Sequence, residues 1–464
     1  MTQTAETGLA ELRAALAGTV IGPRDSGYDD ARRLWNASID RRPAVIARCE
    51  SVADVQAALA YAGRHGLEVA VRGGAHNAAG LATVDDGLVI DLGAMHGVTV
   101  DPAARRARVG GGALLQHLDA ATQEHGLAVP AGMISHTGVG GLTLGGGMGW
   151  LSRIGGLSVD NLVSAQVVTA DGRVLRAAED ENPDLFWALR GGGGNFGVVT
   201  EFEFRLHEVG PMVQYGLLFW GLDQAAEVFR LARELIPTLP PEFNVVIAGL
   251  NAPPAPFVPE QYHFQPGYGL IVVGFGAPES HAELVERIQG AMPPLFAFTS
   301  PMPYVALQQL LDEPNAWGSH VYEKNCYLGD LSDETIAVFT EHFPRKQSPL
   351  SLNLFYRLDG AYSQVAEDAT AFAGGRSPRY ACFVVGVCPA PELMPAEREW
   401  VRTFWEALQP HAFGSGAYVN ALGEEVSDDR VRAVYGAKYD RLARVKAEYD
   451  PTNTFHRNTN IKPA

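Results

Sequence analysis

The chain has 464 residues, too many for one ordinary domain, and typical domain sizes divide it into two to four. Lys and Arg total 36 against 53 Asp and Glu, and the net charge of −17 repels phosphate backbones and anionic lipid heads, so generic nucleic-acid or membrane-surface binding is disfavoured. Hydrophobic residues at 47% and charged residues at 19% describe a globular protein with a large core, and the 51 glycines stand well above an average usage of about 7%.

The first segment, MTQTAETGLAELRAALAG, has neither a basic n-region nor a continuous apolar stretch, so no signal peptide is expected. Apolar runs such as Leu270 to Phe275 are too short to span a bilayer, and a cytoplasmic protein is the default expectation. Ser51 and Asp54 resemble a capping box, and Val55, Ala58, Leu59 and Ala62 form one face of a helix that stops at Gly66. Val69-Ala70-Val71 reads as a strand leading into Arg72-Gly73-Gly74, and Ala107-Arg108-Val109 leads into Gly110-Gly111-Gly112. Leu114, Leu118 and Ala121 mark a second helix, ending at Gly126. Glycines crowd again at Gly138 to Gly149 and at Gly191 to Gly197. Between these clusters, Val167-Val168-Thr169 and Val174-Leu175 flank an Asp171-Gly172 hairpin turn, and Asn182-Pro183 opens a short helix through Leu189. Each cluster ends a strand-like run or joins two elements, where glycine permits positive φ and close approach of the main chain to a ligand. Four clusters in one stretch point to a shared ligand.

From about Pro211 the texture changes to strand-like runs at 213–221, 244–250, 269–275, 350–357 and 380–388, separated by Pro-rich loops such as Pro253-Pro254-Ala255-Pro256. Helical patterns lie between them, with Trp400, Val401, Phe404, Trp405 and Leu408 on one stripe. This is the pattern of an antiparallel sheet backed by helices. After Gly414 come Tyr418-Val419-Asn420, an amphipathic helix around 428–448, and a closing Tyr449-Asp450-Pro451-Thr452-Asn453-Thr454-Phe455. Cys49, Cys326, Cys382 and Cys388 form no CxxC pair and read as reduced core thiols, and the 13 histidines show no paired metal spacing, so no metal site is expected.

Gly138-Val139-Gly140-Gly141 and Gly145 to Gly149 resemble a GxGxxG fingerprint only superficially. No acidic residue ends a second parallel strand about 20 positions on, and no Gly-Lys-Ser/Thr follows any cluster. The Asp171-Gly172 hairpin also puts antiparallel strands where a dinucleotide-binding βαβ unit needs a crossover helix. A diphosphate can still be held by successive main-chain N–H groups, which makes an anionic cofactor compatible with an acidic chain.

Arg72 to Asn77, Gly138 to Gly149, Arg190 to Thr200 and the closing Tyr-Asp-Pro-x-Asn-x-Phe resemble, in order and separation, the berberine bridge enzyme-like flavoproteins of the vanillyl-alcohol oxidase superfamily. The resemblance covers residues 18–208 and 415–463 almost continuously. It implies an α+β protein: a PCMH-type, two-subdomain FAD-binding domain over 1–210, a substrate domain over 211–414, and a C-terminal return to the first domain over 415–464. It further implies that Arg72, Gly73, Gly74, Ala75, His76 and Asn77 wrap the FAD pyrophosphate, with His76 bonded to the flavin 8α-methyl. Gly80, Gly132, Gly138, Gly141 and Leu142 continue the implied cofactor site, followed by Gly145, Gly146, Gly149 and Asn161. Gly194, Gly197, Val198 and Val199 come from the last cluster, and Tyr418, Asn420, Asn458 and Asn460 from the C-terminal segment. Ile134 stands where bicovalent members carry cysteine, so one covalent bond is expected, with weight shifted toward smaller or more enclosed substrates.

On the substrate side, Thr137 holds the family position beside flavin C4a and N5 that gates oxygen, with His136 beside it. Tyr418 matches a tyrosine base presented over the flavin, its phenol activated by its surroundings. Alternation over Ser351 to Arg357 puts Asn353 and Phe355 on one face and Leu352, Leu354 and Tyr356 on the other. Asn353 stands near a position where relatives often carry a carboxylate. Trp317, His320 and Tyr322 are further pocket candidates. The resemblance implies an oxidase that passes hydride from a small alcohol, amine or phenol to flavin N5 and is reoxidised by O2. The alternatives are an oxygenase or oxidative-rearrangement enzyme of polyketide-type natural-product biosynthesis, suggested by His136-Thr137, and a flavin-holding protein without turnover. A homodimer is the base-rate expectation.

Overall fold

The computed structural model describes residues 3–414, 417–423 and 426–464; the domain limits expected at residues 1 and 415 lie outside the described residues. Three sheets organise it, besides a two-stranded pairing of Leu127–Ala128 with His207–Glu208.

The first sheet has the order Thr19–Ile21, Val45–Arg48, Leu88–Asp91, Val69–Arg72. Two of its three pairings, those made by Leu88–Asp91, are parallel, which the sequence reading did not foresee. Helix Val52–His65 begins at Ser51, whose side chain accepts from Asp54 N at 3.2 Å, and ends at Gly66 with φ of 62°. Its apolar face buries Val55, Ala58, Leu59 and Ala62 against the sheet. The second sheet is antiparallel throughout, in the order Val98–Asp101, Arg106–Gly110, Val198–Arg205, Leu162–Val168, Val174–Ala178. The last two strands form the expected hairpin. Helix Pro183–Leu189 buries Leu185, Phe186 and Leu189 in this subdomain's core.

The third sheet has seven antiparallel strands, in the order Phe296–Pro303, Met212–Gly221, Pro266–Gly274, Phe243–Asn251, Leu352–Leu358, Arg379–Cys388, His320–Leu328. The strands at Phe296–Pro303 and His320–Leu328 were not anticipated. Helices Ala225–Leu235, Asp333–His342 and Met394–Leu408 cover one face of this sheet with a buried aromatic cluster. Phe229 stacks on Phe339 at 4.9 Å and meets Phe355 edge-on at 5.5 Å. The opposite face, carrying Tyr215, Leu217, Val246 and Ile271, looks toward the first two sheets.

The C-terminal segment packs back onto the second subdomain, where Tyr435, Leu442 and Val445 share a core with Phe186 and Phe202. The single amphipathic helix expected around 428–448 is two helices, Asp428–Tyr435 and Tyr439–Tyr449, parted by Gly436 at φ of 53°. The closing motif is a buried anchor. Lys446 Nζ donates to Asp450 at 2.6 Å, to Asn195 O and to Phe455 O, with both charged side chains fully buried. Asp450 also accepts from the Thr454 and Phe455 amides, both at 2.8 Å.

Candidate active site

A cavity of about 1180 Å³ runs between the two small sheets and the open face of the large one. Single-ligand pockets hold roughly 300–1,000 Å³, so this space accommodates more than one small molecule. Residues 73–77, the Gly132–Leu142 segment and the Gly193–Gly197 loop line one end, joined by Tyr418, Asn420, Arg457 and Asn458. Gly74 and Gly138 cross so closely that a Cβ on either would lie 2.3 Å from the other's amide nitrogen. No side chain fits at that crossing. Glycine there brings the main chain of two loops to the cavity wall together.

These residues suit an extended anionic cofactor such as FAD. Among the described residues, the amides of Gly74, His76 and Asn77 donate to no acceptor of the protein, although Asn77 Oδ1 ties its own loop by accepting from Ala79 N and Leu81 N. Asn458 lines the cavity with a buried Oδ1 that has no partner, while its Nδ2 donates to Phe455 O at 2.9 Å. Buried polar atoms are nearly always paired, so Asn458 Oδ1 calls for a ligand donor, and the amides of the 74–77 loop are available to ligand acceptors.

His76 stands in the cavity wall between two rings. Trp35 stacks on it at 4.2 Å with 13° between planes, and His76 Nε2 lies 3.0 Å from His136 Nδ1. Burial and the neighbouring imidazole push the His76 pKa down to about 3, so the ring is neutral at physiological pH. His136 is absent from the cavity lining, and the sequence expectation of a residue facing oxygen is corrected: its ring is turned onto His76. Thr137 and Ile134 do line the cavity. Cys49, Cys326, Cys382 and Cys388 are buried elsewhere, and none of them lines it.

The Tyr418 hydroxyl accepts from Gly147 N at 3.0 Å and from Asn420 Nδ2 at 2.9 Å. Asn325 fixes this segment by accepting from Tyr418 N and donating to Ala421 O. The expected lowering of the phenol pKa is not what the surroundings produce. Burial raises it, and the hydrogen bonds from Asn420 and the main chain offset that only in part. Tyr418 is therefore protonated, with its own proton free to be donated.

Over the large sheet the cavity wall is Leu352, Leu354 and Tyr356, with Phe383 and Val385 on the next strand. Asn353 is a correction to the sequence reading. It lies on the opposite face with Phe355, fully buried beneath the helices, because that face carries the aromatic cluster. Trp317, His320 and Tyr322 are also outside the lining: Trp317 is exposed, His320 contacts Ser38 Oγ, and Tyr322 sits under Arg398 and Arg402. The residue of this region that does face the cavity, Glu323, was missed. Glu323, Val385 and Leu352 form one row across three strands. The enclosure of its carboxyl pushes the pKa up to about 7, and its charge is felt by Tyr356 and Tyr418.

Other expected cofactor residues support the site without lining it. The Arg72 guanidinium points away, toward Ala31 O and Asp91, and Asn161 Nδ2 donates to Gly155 O and Leu157 O. Gly80 turns against Ile39, Gly145 passes beneath Asn420, and Gly149 abuts Ala131 O. Gly146, at φ of 137°, faces Phe372 and Tyr418. Val198 is buried in a core, and Asn460 has a buried, unpaired Oδ1 outside the lining. Gly132, Gly138, Gly141, Leu142, Gly194, Gly197 and Val199 lie on the cavity wall.

Two glycine-lined subdomains closing on a substrate sheet define a flavin-dinucleotide oxidoreductase. Residues 43–178 match the model of an FAD binding domain, and residues 417–462 that of berberine and berberine-like proteins. (R)-6-hydroxynicotine oxidase of Paenarthrobacter nicotinovorans is 32% identical, over 97% of each chain. An FAD-linked oxidoreductase of Dictyostelium discoideum is 30% identical, over 98% of this chain and 96% of its own. The crystal structure of 6-hydroxy-D-nicotine oxidase from Arthrobacter nicotinovorans superposes with a TM-score of 0.85 at 29% identity, covering 97% of this chain and 98% of that one. The chain belongs to the berberine bridge enzyme-like family of FAD-linked oxidoreductases.

Proposed function

We propose that this enzyme is an oxidase that carries FAD on a single covalent bond to His76, oxidises a small alcohol, amine or phenol, and uses O2 as terminal acceptor. The observation that carries the reading is His76 in the cavity wall, braced from behind by His136. A neutral His76 that donates from Nε2 to His136 keeps its lone pair on Nδ1, the nitrogen then available for bond formation. Trp35 holds the ring plane. A single tether follows from Ile134, a side chain that cannot form a thioether, at the place where a second link would start.

FAD, when bound, supplies the two-electron acceptor for a hydride leaving substrate carbon. The chain's own groups orient the substrate. The apolar sheet wall excludes water, Tyr418 offers a hydroxyl proton to a substrate oxygen, and Glu323, with its pKa near neutrality, can take the proton that the substrate oxygen or nitrogen must lose as hydride leaves carbon. An oxygenase reading loses support because His136 is engaged by His76 and does not face the cavity.

The test is acid precipitation of the purified protein. Yellow colour that stays with the wild-type pellet and is lost in His76→Ala supports the tether, and FAD freed by acid from the wild type overturns it. Peroxide formed one for one with substrate consumed supports the oxidase, and oxygen incorporated into product overturns it.

A further inference from the structure

We propose that the cavity recognises its substrate as a protonated amine, with Glu323 as counter-ion and the apolar walls seating the carbon skeleton. This deepens the oxidase reading and rests on it.

The substrate end of the cavity holds an acid without a matching base. Among the described residues, the ionisable acids and bases lining the cavity include Glu313, Glu323, His76 and Arg457. Glu313 is exposed at the rim. Arg457 is committed at the cofactor end, where it donates to Thr83 O and approaches Glu68 at 3.7 Å. His76 is engaged with His136. No ion pair or hydrogen bond within the described residues reaches the Glu323 carboxylate. The lysine next to it does not help: Lys324 points to the other side of the strand, over the rings of Tyr322 and Trp405 at 5.8 and 5.3 Å. The groups that do face Glu323 are the phenols of Tyr356 and Tyr418, which carry no positive charge. A lone carboxylate in apolar surroundings is costly and takes up a proton instead. A ligand bearing its own cation removes that cost.

The walls describe the rest of the ligand. Val385 and Leu352 share the row of Glu323, Phe383 and Leu354 line the cavity in the next row, and the mouth beyond is built from the Pro253–Pro256 run with Leu350 and Phe264. Phe264, at φ of 61°, is 58% exposed and Leu350 is 38% exposed, so apolar surface faces the entering molecule. A sugar would leave its hydroxyls without partners against such walls. An aryl or alkyl amine buries its skeleton there and brings its ammonium to Glu323.

Binding is then coupled to proton release. Below pH 7 the empty cavity holds a neutral Glu323, and the arriving ammonium displaces its proton into solvent, with no bond to carbon made or broken. The test uses isothermal calorimetry on the FAD-loaded enzyme at pH 6, in two buffers of different ionisation heat. The probes are 2-methyl-4-phenylbutan-2-amine and the matching alcohol, neither with a hydrogen on the carbon bearing the heteroatom, so neither is turned over there. We expect release of close to one proton per amine bound, none for the alcohol, and amine affinity about tenfold or more above the alcohol. Glu323→Gln should lose both the release and the preference while keeping its flavin spectrum and its alcohol affinity. Equal affinities in the wild type, or proton release that persists in Glu323→Gln, would overturn the proposal. Amine preference and proton release without oxidation of any substrate amine would leave this subsite standing and remove the oxidase reading. Amine oxidation indifferent to Glu323→Gln would remove this subsite and the proton role of Glu323 and leave the flavin oxidase standing.

Discussion

His76 Nε2 lies 3.0 Å from His136 Nδ1, and Trp35 covers the His76 ring, so a neighbour 60 positions on shares the proton of one His76 nitrogen. If this contact selects the tautomer, His136→Ala should slow covalent attachment without abolishing it. Losing one neutral hydrogen bond of ~1 kcal/mol predicts roughly a fivefold slower rate. Mass spectrometry of apo-protein mixed with FAD would follow the adduct over time. An unchanged rate in His136→Ala would remove the tautomer argument.

Tyr418→Phe removes the acceptor of both Gly147 N and Asn420 Nδ2. Asn420 keeps its bond to Leu142 O, whereas the Gly147 amide is left unpaired in a buried site. A stability loss of about 1–3 kcal/mol is expected from that orphaned donor, read as a lowered Tm. If the hydroxyl also serves the reaction, kcat should fall on the order of a hundredfold with a smaller change in KM. A fall in Tm with unchanged kcat would confine Tyr418 to a positioning role.

Lys446 and Asp450 tie the closing motif to the Gly191–Gly197 loop through Asn195 O. Asp450→Asn leaves a buried ammonium without its counter-ion, which costs about 3–5 kcal/mol in comparable pairs. Because the same lysine braces a loop lining the cavity, FAD retention should fall together with Tm. Thermal melts of the FAD-loaded protein, monitored by flavin fluorescence, would register both losses. Retained Tm with normal loading would show that the anchor is dispensable.

The cofactor end was legible in the sequence because main-chain binding demands glycine where loops cross, as Gly74 and Gly138 do. Ser51 by its capping side chain and Pro183 by its place at the first helical position marked helix starts that tertiary packing did not override. The substrate end was not legible, for two physical reasons. Both faces of the strand Leu352–Leu358 are covered, so alternation separated Asn353 from Leu354 but could not say which looked into the cavity. In His320–Leu328 the residues turned toward the flavin side include Glu323 and Asn325, and an inner face carrying polar groups imitates an exposed one. Gly436 broke the C-terminal helix where periodicity alone ran through.

Asp119 gives a prediction with a definite sign. It is fully buried on helix Leu115–Gln123, accepts from Gln308 Nε2 at 3.1 Å, and leaves Oδ1 unpaired. Gln308 Nε2 also donates to Gly132 O on the cavity wall, so this acid helps join helix Tyr304–Gln309 to the Gly132 loop. Burial pushes its pKa from 3.8 up to about 7, outweighing the Gln308 hydrogen bond. The folded state therefore holds a proton that the unfolded chain has released between those two values. Stability from this group is fully present below about pH 4 and is lost as pH rises through 7. Asp119→Asn carries no such proton and should match the wild type most closely in acid. At pH 8 it should be the more stable protein, by on the order of a few kcal/mol at most, since one pKa unit is worth 1.36 kcal/mol. Denaturant melts at pH 5 and pH 8 measure the difference directly. A difference that stays constant between the two, or an Asp119→Asn protein less stable at pH 8, would show that Asp119 is ionised in the fold and paired by something other than Gln308.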